Sequence, residues 1–365
     1  MRILFVTPQT YPPQSAGGSL SSTHDLCVGL AARGHDVAVL CGLDSRGFLG
    51  TVTRLRRKLA TVNRFPVDRV MGYPTYRGWD VPAGVPEVIR RFKPDAAIAQ
   101  AGQTIAVADV LVEHGLPTIA YIRDVEFDKM GKVPFSHPLI SYVANSRFTA
   151  EQFGSVFGLD SEVIPPLVDQ GRFQTNPKRR VVLHINPFPQ KGIDITLELA
   201  RRRQDIPFEI IESWTVNRDV TSRFGSIANA LPNVTWRKSV GDMRKVYRNA
   251  RIVIAPSRSL EGWGRIATEA HASGIPVLAS ANGGLPESVG PGGILVDINA
   301  PLEKWENALS TLWDDQLAYD RLVRASISYS RRKEIQPGVL LDKLERILFS
   351  KLGGRDYLLS KGPSE

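Results

Sequence analysis

Short apolar runs alternate with longer amphipathic stretches along the whole chain. In the first half the apolar runs lie at residues 2–6, 37–41, 96–99, 118–122 and 141–144. The second half repeats this rhythm, with runs at residues 181–185, 208–211, 234–236, 252–255, 276–279 and 293–296. Short apolar runs separated by helical stretches are typical of the buried strands of βαβ units. The pattern therefore predicts an α/β protein with two doubly wound, Rossmann-like parallel-sheet domains.

A pair of prolines divides the two halves. The prolines at 165–166 disfavour both a helix interior and a central strand, so we place a linker there. We predict an N-terminal domain over residues 1–165 and a C-terminal domain over residues 166–330. A terminal helix is expected over residues 331–352, and residues 353–365 are interpreted as a tail. Apolar residues recur on one face of the predicted terminal helix: Leu340, Leu344, Ile347 and Leu348.

The segment around residue 260 carries the most informative polar residues. Glu261 and Glu269 are eight positions apart, with Gly262 and Gly264 between them. Glycines let the backbone approach a ligand closely, and the N-terminus of a following helix favours a phosphate. If most of this interval is helical, the carboxylates are separated by about 12 Å along the axis. This layout suits a nucleotide sugar, with one carboxylate at each end of the diphosphate. The alternative is a glycine-rich αβ junction with two solvated glutamates.

The same segment resembles the donor-site signature of retaining GT-B glycosyltransferases of family four. That signature joins P-S, E-G-x-G-x-x-x-x-E-A, a run of small residues, G-x-P-V and a G-G-x-x-E loop. This chain has each part in order between Pro256 and Glu287. The resemblance implies the GT-B fold, in which two Rossmann-like domains face each other across a cleft. It also implies that the terminal helix crosses back to the first domain.

The resemblance implies transfer of a sugar, with retention at the anomeric carbon, from a nucleotide-sugar donor to a glycan, lipid-linked or other hydroxyl acceptor. A UDP- or GDP-sugar is the expected donor. Family behaviour implies a front-face route in which the leaving phosphate oxygen takes the acceptor proton. Because the chain contains no D-x-D motif, we expect metal independence and no cofactor. A sugar-nucleotide epimerase of the same fold and a non-catalytic polyanion- or glycan-binding protein are the alternatives.

The residues of the donor site are carried over from the family motifs position by position. Lys191 is expected to bind the departing diphosphate, and Asn186 occupies the place of a family arginine. Glu261 is assigned to the donor-sugar hydroxyls and Glu269 to the ribose. Backbone groups at residues 240–243 are expected to hold the nucleobase. The full set of predicted donor-binding residues is Gly17, Gly18, Asn186, Gly262, Trp263, Gly264, Arg265, Ile266, Glu269, Val240 and Met243.

Arg123 and Asp124 stand where the family has a His-Asp pair at the end of a strand, and we include both among the predicted catalytic residues. Arg123 is a permanent cation, so one hypothesis is a contact with a sugar or an acidic acceptor. The other is a structural ion pair with Asp124 or Glu126. The sequence leaves both hypotheses open.

A basic segment lies between residues 46 and 64, which contain six cations and no acid. Its apolar residues recur at helical spacing: Phe48, Val52, Leu55, Leu59 and Val62. Four cations are predicted to lie away from that stripe: Arg54, Arg56, Arg57 and Lys58. One hypothesis is a helix packed on the first domain with a solvated basic back. The other is a surface that meets an anionic membrane or a polyanionic acceptor.

Composition bears on the cellular compartment and on the kinds of partner to expect. The chain has 365 residues, a formal net charge of +9 and only two cysteines, Cys27 and Cys41. So few cysteines favour a reducing compartment, so we expect a cytoplasmic protein, with peripheral association at the inner face of a membrane as a further hypothesis. No run reaches the roughly 18 apolar residues of a membrane span. The histidines show no ligand-like spacing and no nucleic-acid module is evident, so we expect neither a metal site nor a nucleic-acid partner.

Overall fold

The computed structural model describes residues 1–59, 64–212, 218–238 and 241–352. They form two compact units. The first comprises Met1–Leu167 together with the chain from Pro337, and the second comprises Val168–Gln336.

The N-terminal unit is built on an eight-stranded sheet with the order β3-β4-β2-β1-β5-β6-β7-β8. Its strands are β1 (Arg2–Thr10), β2 (Asp36–Gly42), β3 (Val67–Asp68), β4 (Thr75–Gly78), β5 (Ala96–Gln100), β6 (Thr118–Ile122), β7 (Ile140–Ala144) and β8 (Glu162–Val163). Neighbouring strands are parallel except for β3 and β4, which pair antiparallel at one edge. The connecting helices are α1 (Gly18–Ala32), α2 (Gly47–Leu59), α3 (Val81–Phe92), α4 (Thr104–Glu113) and α5 (Arg147–Phe157).

Helices cover both faces of this sheet, so its strands are apolar on both sides. Alternate residues of β1 enter different cores: Leu4 and Val6 join one cluster, whereas Ile3 and Phe5 join the other. Cys27 and Cys41 are free thiols that are buried in the second cluster. Burial raises the pKa of the Cys41 thiol to about 12.

The C-terminal unit contains a six-stranded parallel sheet with the order β11-β10-β9-β12-β13-β14. Its strands are β9 (Val181–Ile185), β10 (Phe208–Ile211), β11 (Val234–Arg237), β12 (Ala250–Ala255), β13 (Val277–Ser280) and β14 (Gly293–Val296). Its helices are α6 (Ile193–Arg202), α7 (Arg218–Asn229), α8 (Met243–Tyr247), α9 (Arg265–His271), α10 (Leu285–Val289), α11 (Leu302–Trp313) and α12 (Gln316–Ser330). The prediction of two doubly wound parallel sheets is confirmed.

The last helix, α13 (Pro337–Lys351), belongs to the N-terminal unit. It begins at Pro337 rather than at residue 331, because Lys333–Ile335 forms a separate 3-10 turn and proline favours the first position of a helix. A Cβ atom added at Gly29 of α1 would lie 2.8 Å from Leu341 Cδ1, so the two helices approach closely there. The apolar face of α13 joins the core that contains Ile3 and Phe5.

Helix α2 docks through a different face from the predicted apolar stripe. Phe48 is 86% exposed and Leu55 is 58% exposed, whereas Thr53 is buried. Gly50 is buried as well, and a Cβ atom there would lie 2.4 Å from the carbonyl oxygen of Asp44, in the segment that leads into the helix. The hypothesis of an apolar stripe packed on the domain is therefore wrong for Phe48 and Leu55. Val62 and the side chains of Arg57 and Leu59 lie outside the described part of the chain.

Candidate active site

Two loops of the C-terminal unit bring a lysine and a glutamate together. Lys191 lies between β9 and α6, and Glu261 lies between β12 and α9. Lys191 Nζ donates to Glu261 Oε1 at 2.5 Å, and Ser257 Oγ donates to the same oxygen at 2.5 Å. The side chains of Lys191 and Glu261 are 21% and 19% exposed, respectively. A charge-assisted pair of this kind is held firmly while both groups remain accessible to a ligand.

The loop of Lys191 rests directly on the loop of Glu261. Gly192 has a φ of +71°, and a Cβ atom there would lie 2.0 Å from the carbonyl oxygen of Pro256. The carbonyl oxygen of Gln190 also accepts hydrogen bonds from the backbone N–H groups of Arg258 and Ser259, at 2.9 and 3.2 Å. The two loops therefore position each other, and only glycine fits at the contact.

Asn186 and a buried histidine support the start of the lysine loop. Asn186 adopts a φ of +67° directly after β9. His184 Nδ1 is 2.8 Å from Thr196 Oγ1, and its Nε2 is 3.3 Å from the carbonyl oxygen of Asn186. Burial lowers the pKa of His184 to about 4, so the ring is neutral near pH 7. This neutral ring buttresses the loop without adding a charge to the site.

The short helix α9 carries Glu269 in a bonded network. Tyr247 Oη donates to Glu269 Oε2 at 2.8 Å, and Arg265 Nε donates to Glu269 Oε1 at 3.2 Å. Burial, together with the Glu269 carboxylate, raises the pKa of Tyr247 well above its usual value, so its hydroxyl keeps its proton. Because α9 begins only at Arg265, about half of the interval from Glu261 is not helical, and the axial spacing expected from the sequence does not apply.

The remaining predicted positions around α9 have structural contacts of their own. Gly264 has a φ of +87° before the helix, and a Cβ atom there would lie 2.5 Å from Leu285 Cδ2. Trp263 is buried, and its Nε1 donates to Thr268 Oγ1 at 3.0 Å. Ile266 is half-buried against the core of the unit. The E-G-x-G segment is therefore held by packing as well as by the lysine.

The G-G-x-x-E loop fixes the backbone of the glutamate loop. The backbone N–H of Gly284 donates to the carbonyl oxygen of Glu261 at 2.6 Å, and a Cβ atom at Gly284 would lie 2.3 Å from the carbonyl oxygen of Gly262. Asn282 Nδ2 lies 3.1–3.3 Å from three successive carbonyl oxygens, those of residues 257–259. Asn282, Ser257 and Tyr247 were not predicted from the sequence. Asn282 could have been, because it directly precedes the glycine pair of this loop.

In the N-terminal unit, Arg123 lies at the end of β6 beside the end of β5. Its Nε and Nη2 donate to Gln100 Oε1 at 2.9 and 2.6 Å, and its Nη1 donates to Ser22 Oγ at 3.1 Å. The guanidinium carbon stands 4.0 Å from the centre of the Tyr121 ring. Arg123 is thus a buried cation in a polar network, and its contact with a sugar or acceptor stays a prediction.

Asp124 is partly buried beside this arginine. It accepts a hydrogen bond from the backbone N–H of Glu126 at 3.3 Å, and burial raises the pKa of its carboxyl group. Glu126 itself pairs with Lys129 at 2.7 Å. These contacts place Asp124 in a turn at the end of the strand, and its catalytic role stays a prediction.

The loop after β1 leads to Gly17 and Gly18, which open α1. This loop is held by Arg77 of β4, a fully buried residue that was not predicted from the sequence. Arg77 Nη1 and Nη2 donate to the carbonyl oxygens of Tyr11 and Pro12 at 3.1 and 2.7 Å.

Of the predicted nucleobase segment, Met243 opens α8 and packs against the core of its unit. Val240 lies outside the described residues.

The described residues also bear on metal sites and membrane spans. Within those ranges, no three His, Cys, Asp or Glu side chains are grouped so that they could hold a metal ion. Every helix that the structure describes is too short or too polar to span a membrane.

Two family models match consecutive parts of the chain. The model described as Glycosyl transferase 4-like domain matches residues 17–163, and the model described as Glycosyl transferases group 1 matches residues 169–329. Two parallel-sheet units with these glycine loops define the GT-B class of proteins. Because the two models together match most of the chain, the protein belongs to the GT4-type family of group 1 glycosyltransferases, as its motifs predict.

Curated relatives match parts of the chain. The D-inositol 3-phosphate glycosyltransferase of Segniliparus rotundus is 31% identical over 219 residues, which are 52% of this chain and 48% of that protein. The GDP-mannose-dependent alpha-(1-6)-phosphatidylinositol monomannoside mannosyltransferase of Mycolicibacterium smegmatis is 29% identical over 182 residues, 42% of this chain and 47% of that protein. The match thus spans about half the length of these relatives.

Solved structures show the same fold. Anabaena HepE in complex with UDP-glucose has a TM-score of 0.76 at 16% identity, over 96% of this chain and 100% of that chain. WaaG, a glycosyltransferase involved in lipopolysaccharide biosynthesis, has a TM-score of 0.65 at 14% identity, over 95% of this chain and 99% of that chain. These likenesses confirm the predicted GT-B fold.

Proposed function

We propose that this protein is a retaining, metal-independent glycosyltransferase that moves a sugar from a nucleotide-sugar donor to a hydroxyl acceptor. The observation that carries the proposal is the 2.5 Å pair of Lys191 and Glu261 at the meeting point of two family loops. Membership of the GT4-type family favours transfer over the alternatives of an epimerase or a polyanion-binding protein. A UDP- or GDP-sugar is the proposed donor.

The proposed mechanism uses this pair at the bond that breaks. As the anomeric carbon separates from the diphosphate, negative charge grows on the leaving oxygen, and Lys191 stabilises that charge more in the transition state than in the bound donor. The acceptor oxygen bonds to the same face of the anomeric carbon, and its proton passes to the leaving phosphate oxygen. Glu261 orients Lys191 and accepts hydrogen bonds from the donor-sugar hydroxyls. The reaction needs no further reactant.

The decisive experiment combines binding with turnover. We expect one of the UDP-, GDP-, ADP- or dTDP-sugars to raise the melting temperature, because a ligand that prefers the folded state stabilises it. With that donor and an acceptor, we expect release of nucleoside diphosphate and an unchanged anomeric configuration in the product by NMR, with or without EDTA. Inversion at the anomeric carbon would contradict the retaining mechanism, and dependence on a divalent metal would contradict metal independence. An epimerised donor would contradict glycosyl transfer.

The contacts of Glu269 lead to a separate prediction. Tyr247 and Arg265 hold its carboxylate in a fixed position, and we propose that it binds the ribose of the donor. Because ribose contacts change little during the reaction, Glu269→Ala should raise the Kd and KM for the donor about tenfold with little change in kcat. Steady-state kinetics and a donor titration measure both effects. Tyr247→Phe is the matched control: it removes one hydrogen bond to the carboxylate and should give a smaller change of the same kind.

We further propose that α2 attaches the protein to an anionic membrane, at the cytoplasmic face, where a lipid-linked acceptor would be found. Phe48 and Leu55 are exposed large apolar residues on the same helix as the exposed cations Arg54 and Lys58. A helix that exposes apolar and basic residues together suits the interface of an anionic bilayer. Membrane association would place the enzyme beside its acceptor.

Removal of the two apolar side chains tests this attachment. Phe48→Ser combined with Leu55→Ser should weaken sedimentation with phosphatidylglycerol vesicles about tenfold or more, because each large apolar side chain contributes roughly 1.5–3 kcal/mol when buried. Leu317→Ser is the control, because Leu317 is 84% exposed on α12 of the other unit. This substitution should leave vesicle binding unchanged. Vesicle binding that neither salt nor the double variant weakens would contradict attachment through α2, and no binding of the wild type would refute membrane association itself.

A further inference from the structure

A cavity of about 450 Å³ lies beside α2, at the β3–β4 edge of the N-terminal sheet. Its lining residues are Arg56, Val67, Asp68, Arg69, Pro74 and Tyr76. Arg56 reaches across from α2, and its Nη1 donates to the carbonyl oxygen of Val67 at 3.4 Å. None of these residues belongs to the proposed donor site in the C-terminal unit.

The charge of this cavity is positive because its acidic residue is already neutralised. Asp68 Oδ2 accepts from Nε of the buried Arg77 at 2.7 Å, and Asp68 Oδ1 accepts from the backbone N–H of Val70 at 3.1 Å. Arg56 and Arg69 are exposed, and each guanidinium has five N–H donors in a fork that matches a phosphate. The cavity thus presents two arginines to a ligand.

Apolar side chains flank both arginines along the chain. Leu55 precedes Arg56 and is 58% exposed, and Val70 follows Arg69 and is 60% exposed. Trp79 is also exposed, and its Nε1 donates to Ser45 Oγ, just before α2, at 3.3 Å. Exposed apolar residues are thus the immediate chain neighbours of both arginines that line the cavity. A ligand with a phosphate joined to an apolar part would satisfy both the cavity and its surroundings.

We infer that this cavity binds the phosphate of an anionic phospholipid headgroup, with Arg56 and Arg69 as its ligands. The inference rests on the proposed membrane association and makes it specific: binding is saturable and localised rather than a general attraction of basic residues to a charged surface. A headgroup held at the β3–β4 edge would also fix the orientation of the N-terminal unit on the bilayer.

The test compares two pairs of substitutions that remove equal charge. Arg56→Gln with Arg69→Gln changes the cavity, whereas Arg54→Gln with Lys58→Gln changes exposed cations of α2 that do not line it. We expect the cavity pair to lose at least about tenfold more affinity for phosphatidylglycerol vesicles than the control pair. Arg56→Lys with Arg69→Lys keeps the charge and should recover only part of the binding, because lysine lacks the guanidinium fork. Circular dichroism verifies that each variant is folded.

A soluble probe separates this inference from membrane binding itself. Glycerol 3-phosphate should bind saturably to the wild type and to the control pair, with NMR shifts near Arg56 and Arg69, and should not bind to the cavity pair. Equal loss of vesicle binding in both pairs would overturn the headgroup site while leaving the membrane proposal standing. Failure of the wild type to bind vesicles would refute the membrane proposal and, with it, the assignment of a lipid, even if glycerol 3-phosphate binds.

Discussion

Lys191→Ala should lower kcat by about 10²–10³ while changing the Kd of the donor only slightly, a loss typical of one preorganised electrostatic contact. The lysine is held by Glu261 at 2.5 Å, so its charge is already in place when the diphosphate begins to leave. Its interaction with the donor strengthens as negative charge accumulates on the leaving oxygen. Single-turnover kinetics with the donor found by thermal shift, together with a binding titration, measure the two effects separately.

The controls for this prediction distinguish the site from general charge. Lys304→Ala removes an exposed lysine of α11 in the same unit and should leave both constants unchanged. Lys191→Arg keeps the charge but replaces the ammonium group by a planar guanidinium, and it should recover only part of the rate. If Lys191→Ala raised KM while leaving kcat intact, the lysine would be a binding residue rather than a group that acts in the transition state.

The sequence was sufficient for the parts of the fold that local patterns encode. Every predicted strand is present, because a buried parallel strand is a short apolar run that can be recognised without knowing its neighbours. The strands that were missed are short: β3 and β8 lie at the two edges of the sheet, and β4 lies next to β3. In β4, Tyr76 and Arg77 are buried through contacts made far along the chain, which the local pattern T-Y-R-G does not reveal.

In the donor site, too, the local patterns could be predicted from the sequence and the long-range contacts could not. Glycine spacing located the loops of Lys191, Glu261 and Gly264, because close approach of backbones demands glycine and leaves a mark in the sequence. The pairing of Lys191 with Glu261 joins residues 70 positions apart, and the hydrogen bond of Tyr247 to Glu269 joins residues 22 positions apart. No local pattern encodes such contacts, since they arise from the order of strands in the sheet.

In helix α2, helical periodicity alone did not predict which residues are buried. The spacing of Phe48, Val52 and Leu55 predicted one apolar face directed at the domain, but the buried residues of the described helix are Gly50 and Thr53, whereas Phe48 and Leu55 are exposed. A contact made through glycine leaves no apolar pattern in the sequence, whereas exposed apolar residues at helical spacing produce a clear pattern. The same outcome is what makes the exposed surface of α2 a candidate for membrane binding.

Gly192→Ala should destabilise the C-terminal unit by roughly 2–5 kcal/mol and lower kcat/KM by about 10²-fold. Two effects add: an alanine at a φ of +71° is strained, and its Cβ would lie 2.0 Å from the carbonyl oxygen of Pro256. The loops must separate to relieve the contact, which moves Lys191 away from Glu261. Thermal unfolding monitored by circular dichroism gives the change in stability, and kinetics on the folded protein give the change in activity.

Gly115→Ala is the matched control, because Gly115 has a φ of +72° but no atom within 4 Å of the added Cβ. It should cost only the backbone strain of about 1–2 kcal/mol and leave kcat/KM unchanged. The difference between the two variants therefore isolates the contact between the loops. If Gly192→Ala were no more destabilising than Gly115→Ala and remained active, the lysine loop would be able to shift without loss. The positions of Lys191 and Glu261 would then have to be set by the bound donor rather than by the packing of the two loops.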